Sequence, residues 1–237
     1  MAWLVDLDNW VALLKIIGVN IVLSGDNAVV IALACRSLPV QQQRKAIFFG
    51  SAGAIALRVI LTVFAVYLMQ LPYLKIVGSL LLLWIAVKLL SEDEGEGRVE
   101  GHSNMLGAVK TIIVADLVMS LDNVLGVAAA ANDDFMLLTA GLLISIPLII
   151  YGSTLILKLM GRFPVIITLG GALLGFVAGE MSVSDRSVAG LLEVHAPLLH
   201  SIVPIACAIL VVTLGKLLAG RQPATVVDLA EDDTRRS

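Results

Sequence analysis

Charged residues are scarce in this chain, and their scarcity excludes a soluble globular protein. They make up 15% of the 237 residues, whereas soluble domains carry about 25%. Hydrophobic residues reach 59%, and the mean hydropathy is +0.97. At roughly 20 residues per span, the length has room for about seven membrane helices and no large soluble domain. We therefore expect a lipid bilayer as a partner and no nucleic acid, since the net charge of -3 gives no indication of one.

Cysteine is also scarce, and the N-terminal segment has few basic residues. The two cysteines, Cys35 and Cys207, have no metal-ligand spacing, so we interpret them as packing residues rather than disulfide partners or ligands. No Lys or Arg precedes Lys15, which is the opposite of the basic start of a secretory signal peptide. We therefore expect the first apolar run to be kept as a membrane span.

Apolar windows of membrane-span length recur along the chain. They predict an all-α membrane protein with seven transmembrane helices, at residues 10–35, 47–70, 73–91, 105–131, 135–158, 163–180 and 198–219. We expect a single transmembrane domain over residues 1–220 and a cytoplasmic tail over residues 221–237. Neither of the longer links between the windows contains a pattern typical of a catalytic motif. We therefore do not expect this protein to be an enzyme.

Lys and Arg are distributed unequally between the two sides of the predicted bundle. One side carries twelve of the 16, namely Arg36, Arg44, Lys45, Lys88, Arg98, Lys110, Lys158, Arg162, Lys216, Arg221, Arg235 and Arg236. The other side carries Lys15, Lys75 and Arg186, while Arg58 lies inside the second window. Because basic residues stay on the cytoplasmic side, we expect the N-terminus outside and the C-terminus in the cytoplasm of a bacterial inner membrane.

Two stretches of the chain are copies of each other. The first is "NIVLSGDNAVVIALA" at 20–34, and the second is "DLVMSLDNVLGVAAAA" at 116–131. Their polar positions pair as Asn20 with Asp116, Ser24 with Ser120, Asp26 with Asp122 and Asn27 with Asn123. The match continues in the third helix of each copy, where Gly78 pairs with Gly170 and Lys88 with Glu180.

The duplication predicts an inverted repeat of 3+3 helices with one further C-terminal helix. Repeat one spans residues 10–91, repeat two spans 105–180, and the extra helix spans 198–219. Each copy holds an odd number of helices, so the second copy enters the membrane from the opposite face. This architecture is typical of secondary transporters, whose sites lie near the bilayer midplane at the repeat interface.

The repeated signatures place carboxylates inside predicted membrane helices. An Asp at a helix centre costs roughly 2.5 to 3.5 kcal/mol, so Asp26, Asp116 and Asp122 need a buried base, a bound cation or protonation. Because the two copies are inverted, Asp26 and Asp116 are expected at one depth of the bilayer and close to each other. Asn20 and Asp122 are expected close together at a second depth. Unwinding of the helix at Gly25 would add backbone carbonyls to the site.

The candidate ligands offer oxygen atoms, and no His or Cys joins them. They are Asp26, Asn27, Asp116, Asp122, Asn123, Asn20, Ser24 and Ser120. Oxygen ligands suit Mg²⁺, Ca²⁺ or Mn²⁺ and serve Zn²⁺ or Cu⁺ poorly. We therefore expect a divalent cation as the transported substrate and no permanently bound cofactor.

Two further charged residues have alternative interpretations. Arg58 is a structural counter-ion that pairs with Asp26 or Asp116 in an empty site, or it is a coupling element. Glu180 is a solvated residue at the outer end of the sixth helix, or it is a gate or proton acceptor. A purely structural interpretation of the signatures, in which Ser and Asn join helices by hydrogen bonds, also stays open.

The two signatures resemble those of a known family. "NIVLSGDNAVVIALACRSLP" and "DLVMSLDNVLGVAAAA" resemble the TerC family of integral membrane proteins, in particular its short bacterial YjbE-like branch. The resemblance covers about residues 10–220. It implies inverted three-helix repeats, a link to tellurite resistance through the family name, and manganese export as in better-understood members. Transferred by position, it implies metal handling by Asp26, Asn27, Asp116, Asp122 and Asn123.

The residues and the resemblance together predict a secondary transporter that exports a divalent cation, Mn²⁺ first, in exchange for protons. A transporter of Ca²⁺ or another cation stays open, as does a non-transporting membrane component of tellurite or metal resistance. An intramembrane aspartyl protease also uses two carboxylates, but here Leu23 occupies the first glycine position of the expected G-x-G-D motif. The oligomeric state is open, with a homodimer as one option.

Overall fold

The structure, a computed structural model, describes residues 25–68, 71–91, 104–130 and 135–220, together with Gly18. For residues 63, 65, 66, 104, 122–130, 135–143 and 145 it describes the backbone alone. Three parts of the predicted architecture lie outside the described residues. They are residues 10–17 and 19–24 of the first predicted helix, the link 92–103 after the third, and the C-terminal tail 221–237.

The described residues form eight α-helices, and no strand occurs among them. In chain order the helices are α1 (Gly25–Cys35), α2 (Val40–Leu68), α3 (Leu74–Ser91), α4 (Asn104–Ala130), α5 (Phe135–Arg162), α6 (Val165–Val183), α7 (Ala189–His195) and α8 (Leu199–Ala219). Helices are the expected result of long apolar runs, because a helix pairs its backbone polar groups within one segment and so needs no water. The predicted all-α class is confirmed.

Four of the described helices are long and apolar enough to cross a membrane. They comprise Val40–Thr62 of α2 and the whole of α3, α6 and α8. Large apolar side chains remain exposed on these helices, for example Trp84 at 61% and Leu169 at 62%. Such surfaces fit a hydrocarbon environment and make the chain an integral membrane protein. The count of seven spans stays a prediction.

Helix α1 lies at the centre of the bundle. It packs against α2, α3, α4, α5 and α6. Every side chain from Val30 to Cys35 is buried, which the small and apolar sequence "VIALAC" permits. Polar residues at the start of this helix, Asp26 and Asn27, are therefore held within the protein by the packing of the helix that carries them.

Helices α6 and α8 are in backbone contact. A Cβ atom added at Gly175 would lie 2.7 Å from the carbonyl oxygen of Cys207 and 2.9 Å from the Cα of Ala208. One turn further along α6, Gly179 lies equally close to the backbone at Pro204. Small residues at this spacing let membrane helices approach closely, so α6 and α8 form a tightly packed pair.

The short helix α7 lies between α6 and α8, where the sequence analysis predicts only a link. None of its residues is buried, and Leu191 and Val194 are 66% and 76% exposed. Its seven residues are fewer than the window of about 11 to 18 residues over which helical periodicity can be read.

Candidate functional site

Arg58 of α2 forms a buried ion pair with Asp116 of α4. Its Nη2 atom lies 2.5 Å from Asp116 Oδ1, and the two side chains are 1% and 10% exposed. The helices approach closely at a glycine, because a Cβ at Gly50 would lie 2.7 Å from Ile112 Cδ1. Burial of an unpaired charge costs several kcal/mol of folding free energy. The attraction between Arg58 and Asp116 offsets part of this cost for each of them.

Ser120 completes this polar group. Arg58 Nε donates a hydrogen bond of 3.0 Å to Ser120 Oγ, which in turn donates one of 3.1 Å to Asp116 Oδ2. Asp116 and Ser120 are four residues apart and therefore lie on the same face of α4. We refer to Arg58, Asp116 and Ser120 as the Arg58 cluster.

Asp26 of α1 lies near the Arg58 cluster. Its carboxylate is within range of Coulombic interactions with both Arg58 and Asp116. Its Oδ1 atom accepts a hydrogen bond of 2.8 Å from the backbone amide of Asn27. The region where α1, α2 and α4 meet thus contains two carboxylates and one guanidinium.

Asn27 follows Asp26 and is 3% exposed. Neither Oδ1 nor Nδ2 of its amide has a hydrogen-bond partner within the described part of the chain. Buried polar groups are nearly always satisfied, and leaving one without a partner costs about 1 to 3 kcal/mol. Within the described residues, both polar atoms of this buried amide are therefore open to a further partner.

The other predicted ligands have no described side chains. Asn20 and Ser24 lie outside the described residues. Gly25, where unwinding is expected, is the first described residue of its helix. Asp122 and Asn123 belong to α4 at positions where the backbone alone is described. Glu180 lies exposed on α6 and takes no part in the Arg58 cluster.

Oxygen atoms dominate the chemistry of this region. Asp26 and Asp116 supply carboxylates, and Asn27 supplies an amide oxygen. Within the described residues, no three side chains of His, Cys, Asp or Glu come together as a metal site requires. Because Arg58 already balances the charge of Asp116, the carboxylate available to a further cation is that of Asp26.

Asp185 makes a second group of polar contacts, which the sequence analysis does not predict. It lies in the turn after α6 and is 1% exposed. Its carboxylate accepts hydrogen bonds from the backbone amides of Tyr73 at 3.3 Å and Lys75 at 3.1 Å. Tyr73 has a φ of 62°, a conformation that non-glycine residues seldom adopt. Asp185 therefore holds the strained start of α3 against the end of α6.

Burial raises the pKa of the Asp185 carboxyl, but hydrogen bonds from Ser187 and from backbone amides at the start of α3 outweigh burial. The net pKa is below the ordinary value of 3.8. The contact joins residues 110 positions apart, so the only signal in the sequence is the Asp-x-Ser pattern, which favours a local turn.

Known proteins resemble this chain over most of its length. The family model for the integral membrane protein TerC family matches residues 5–223. The membrane protein YjbE of Bacillus subtilis, described as uncharacterized, is 41% identical over 188 residues, which are 79% of this chain and 86% of YjbE. The inner membrane protein YgdQ of Escherichia coli K12 is 28% identical over 181 residues, which are 69% of this chain and 76% of YgdQ.

The membrane protein YceF of Bacillus subtilis is a further relative, 27% identical over 189 residues, which are 76% of this chain and 73% of YceF. No solved structure matches the chain. The family model spans nearly all of the sequence, including both repeated signatures. The resemblance noted from these signatures is confirmed, and the chain belongs to the TerC family of integral membrane proteins.

Proposed function

We propose that this protein is a secondary transporter that exports a divalent metal cation from the cytoplasm of a bacterium in exchange for protons. Mn²⁺ is the first candidate because the TerC resemblance implies manganese export. The observation that carries the proposal is the buried Asn27 amide, which has no partner among the described residues and lies beside Asp26. The Arg58 cluster lies nearby, and its carboxylate, that of Asp116, is paired with Arg58.

The ligand chemistry supports a hard dication. Asp26 and Asn27 offer oxygen atoms from α1, and the repeat assigns the corresponding oxygen atoms of Asp122 and Asn123 to α4. A cation bound by Asn27 Oδ1 would satisfy an acceptor that otherwise costs about 1 to 3 kcal/mol. The same cation would stabilise the ionised form of Asp26.

Arg58 acts in this proposal as the internal counter-ion of Asp116. Asp26, Asp116 and Asp122 together with Arg58 leave two negative charges, which one dication or two protons neutralise. The site is therefore suited to exchange one metal ion for two protons without net charge movement. Metal uptake on one side of the membrane would release protons from the same carboxylates.

The packing of the helices supports the inverted repeat. When α1, α2 and α3 are exchanged for α4, α5 and α6, most contacts between helices map onto observed contacts. Helix α1 packs on α5 as α4 packs on α2, and α1 packs on α6 as α4 packs on α3. A pseudo-twofold axis through α1 and α4 would place both signatures near the midplane, as in other transporters with inverted repeats.

Arg58 breaks the symmetry of the two copies. Matching α2 to α5 end to end aligns Arg58 with Gly152 or Ser153, which carry no charge. The position of Asp116 is occupied by Asn20 in the first copy. The extra carboxylate of the second copy is therefore matched by an extra arginine in the first copy, which supports a counter-ion pair rather than two unrelated charges.

Transport measurements test the proposal. Purified protein in liposomes is expected to move Mn²⁺ when a pH gradient is imposed, and Asp26→Asn is expected to abolish this flux. The matched control is Glu193→Gln, which removes an exposed carboxylate on α7 and should transport normally. Absence of flux in the natural protein, or full flux in Asp122→Ala, would contradict the proposal.

A competition series distinguishes the candidate metals. Ca²⁺ and Mg²⁺ share the preference of Mn²⁺ for oxygen ligands. If Mn²⁺ is the substrate, an excess of Ca²⁺ or Mg²⁺ should reduce Mn²⁺ flux only weakly. Strong inhibition by Ca²⁺, with Ca²⁺ flux of its own, would identify a calcium transporter instead.

The Arg58 cluster favours one second candidate, a non-transporting membrane component of tellurite or metal resistance. In the cluster each charged group has a partner, as in polar groups that only join helices. This candidate predicts that Asp26→Asn together with Asp122→Asn leaves resistance intact in cells. The transporter proposal predicts that the same double variant abolishes resistance.

A further inference from the structure

A cavity of about 340 Å³ lies where the end of α1, the start of α2 and the end of α5 meet. Its basic lining residues are Arg36, Arg44 and Lys158, and its apolar lining includes Ile47, Leu157 and Met160. No acidic residue of the described part of the chain lines it. We refer to this cavity as the basic cavity.

The charge of the basic cavity suits a phosphate group. Arginine offers a planar fork of donors that matches phosphate oxygens, and lysine adds a point charge. Polar neighbours in the wall are already engaged as donors, since Gln43 Nε2 donates to Leu38 O at 2.9 Å and Thr154 Oγ1 donates to Ile150 O at 2.7 Å. We therefore expect the cationic side chains to supply the main donors to a phosphate.

The surroundings of the basic cavity suit a lipid rather than a free ion. Leu155 and Leu159, which flank Lys158 on α5, are 48% and 37% exposed, and Phe48 on α2 is 53% exposed. An apolar surface next to a basic cavity fits an amphiphile with an anionic head and acyl chains. The cavity also lies at the end of the bundle that the distribution of Lys and Arg predicts to be cytoplasmic.

We propose that the basic cavity binds the phosphate of an anionic phospholipid of the cytoplasmic leaflet, between Arg36, Arg44 and Lys158. Basic pockets between membrane helices on this side commonly hold lipid headgroups. The lipid would contact both α5 and the connection between α1 and α2. It would thereby link two segments that pack around α1. This inference does not depend on the transport proposal, because none of the cavity's residues belongs to the cation site.

Native mass spectrometry of the full-length protein tests this inference, with phosphatidylglycerol, phosphatidylcholine and inorganic phosphate as probes. The natural protein is expected to retain phosphatidylglycerol in preference to phosphatidylcholine. Arg44→Gln with Lys158→Gln should weaken this binding about 25-fold, because each charge near the membrane surface contributes roughly fivefold. The charge-preserving pair Arg44→Lys with Lys158→Arg should retain most of it.

The matched control is Lys110→Gln with Lys216→Gln, which removes two exposed charges at the same end outside the cavity. Its lipid binding should equal that of the natural protein. Equal retention of phosphatidylglycerol by both double variants would overturn the inference. Displacement of phosphatidylglycerol by inorganic phosphate would overturn the assignment to a lipid.

Discussion

Arg58 and Asp116, which are 58 residues apart in the sequence, form an ion pair between α2 and α4 with Arg58 only 1% exposed. The pair links the second helix of the chain to the signature helix of the second repeat. The effect of the pair on stability follows from electrostatics, because a buried charge that loses its oppositely charged partner keeps most of the cost of its desolvation.

Arg58→Gln is expected to lower the free energy of unfolding by about 3 to 5 kcal/mol, because it leaves the Asp116 carboxylate buried without its cation. The double variant Arg58→Gln with Asp116→Asn should recover much of this loss, since it removes both charges. Chemical denaturation in detergent measures both effects. Lys216→Gln on α8 serves as the control, and a double variant no more stable than Arg58→Gln would contradict the ion-pair account.

Ser120→Ala is expected to lower the free energy of unfolding by about 1 to 2 kcal/mol, because its hydroxyl bonds to two charged groups. Ser153→Ala is the matched control. Both serines are fully buried, but Ser153 Oγ donates only to the carbonyl oxygen of Ile150. Its loss should be about 0.5 kcal/mol. Equal effects in the two variants, measured by the same denaturation, would show that the charged partners add nothing.

Asn27→Leu should separate stability from function. Because the Asn27 amide has no partner in the described residues, an apolar side chain of similar volume should leave the fold unchanged or stabilise it by about 1 kcal/mol. Cation flux in liposomes should fall more than tenfold. A loss of stability together with normal flux would assign the amide a structural role.

Ser51→Ala is the control for Asn27→Leu. Ser51 Oγ is likewise buried, and it has no partner among the described residues. It lies on α2, and it is not one of the candidate ligands. Flux in Ser51→Ala should equal that of the natural protein, so a loss there would show that buried polar atoms affect transport through packing alone.

Asp185 should make stability dependent on pH under acidic conditions. Its folded pKa lies below the ordinary value of 3.8, so its stabilising contribution is complete above that value and is lost as the pH falls through the lower folded pKa. Asp185→Asn should cost about 1 to 2 kcal/mol near neutral pH and remove this acid dependence. Thermal melting across the acidic range measures it, with Glu193→Gln as the control. An unchanged profile in Asp185→Asn would exclude the carboxylate as its source.

Gly175→Ala should lower the free energy of unfolding by about 1 to 3 kcal/mol, because its methyl group would meet the backbone of α8 at Cys207 and Ala208. Gly107→Ala in α4 is the matched control, since nothing lies within 4 Å of a Cβ there. That variant should be stabilised by about 0.5 to 1 kcal/mol through helix propensity. Similar effects in both would contradict the close approach of α6 and α8.

The helical elements could be predicted well from the sequence, because apolar length is a local property. The predicted windows at 73–91 and 198–219 differ by one residue at most from the ends of α3 and α8. Helix α2 begins earlier than its window, at Val40, because its first turns carry the polar residues "QQQR" and extend beyond the apolar run. Apolar content identifies the membrane part of a helix and not its full length.

The candidate site could be predicted only as a set of residue types. The sequence alone determined that oxygen-bearing side chains recur in two signatures and that Arg58 needs an acidic partner, because burial of a charge has a known cost. It left Asp26 and Asp116 as equal candidates for the partner of Arg58. In the tertiary structure the partner is Asp116, because the packing of Gly50 against Ile112 brings α2 and α4 together.

Three further features depended on tertiary structure alone, namely the Asn27 amide without a described partner, the Asp185 contact with α3 and the basic cavity. Each depends on which helices are neighbours and on how closely they pack. Composition and periodicity describe one helix at a time, so the sequence determined the membrane class and the chemistry of the signatures. The pairing of charges between helices was decided by the fold, because electrostatic partners are selected by distance in space.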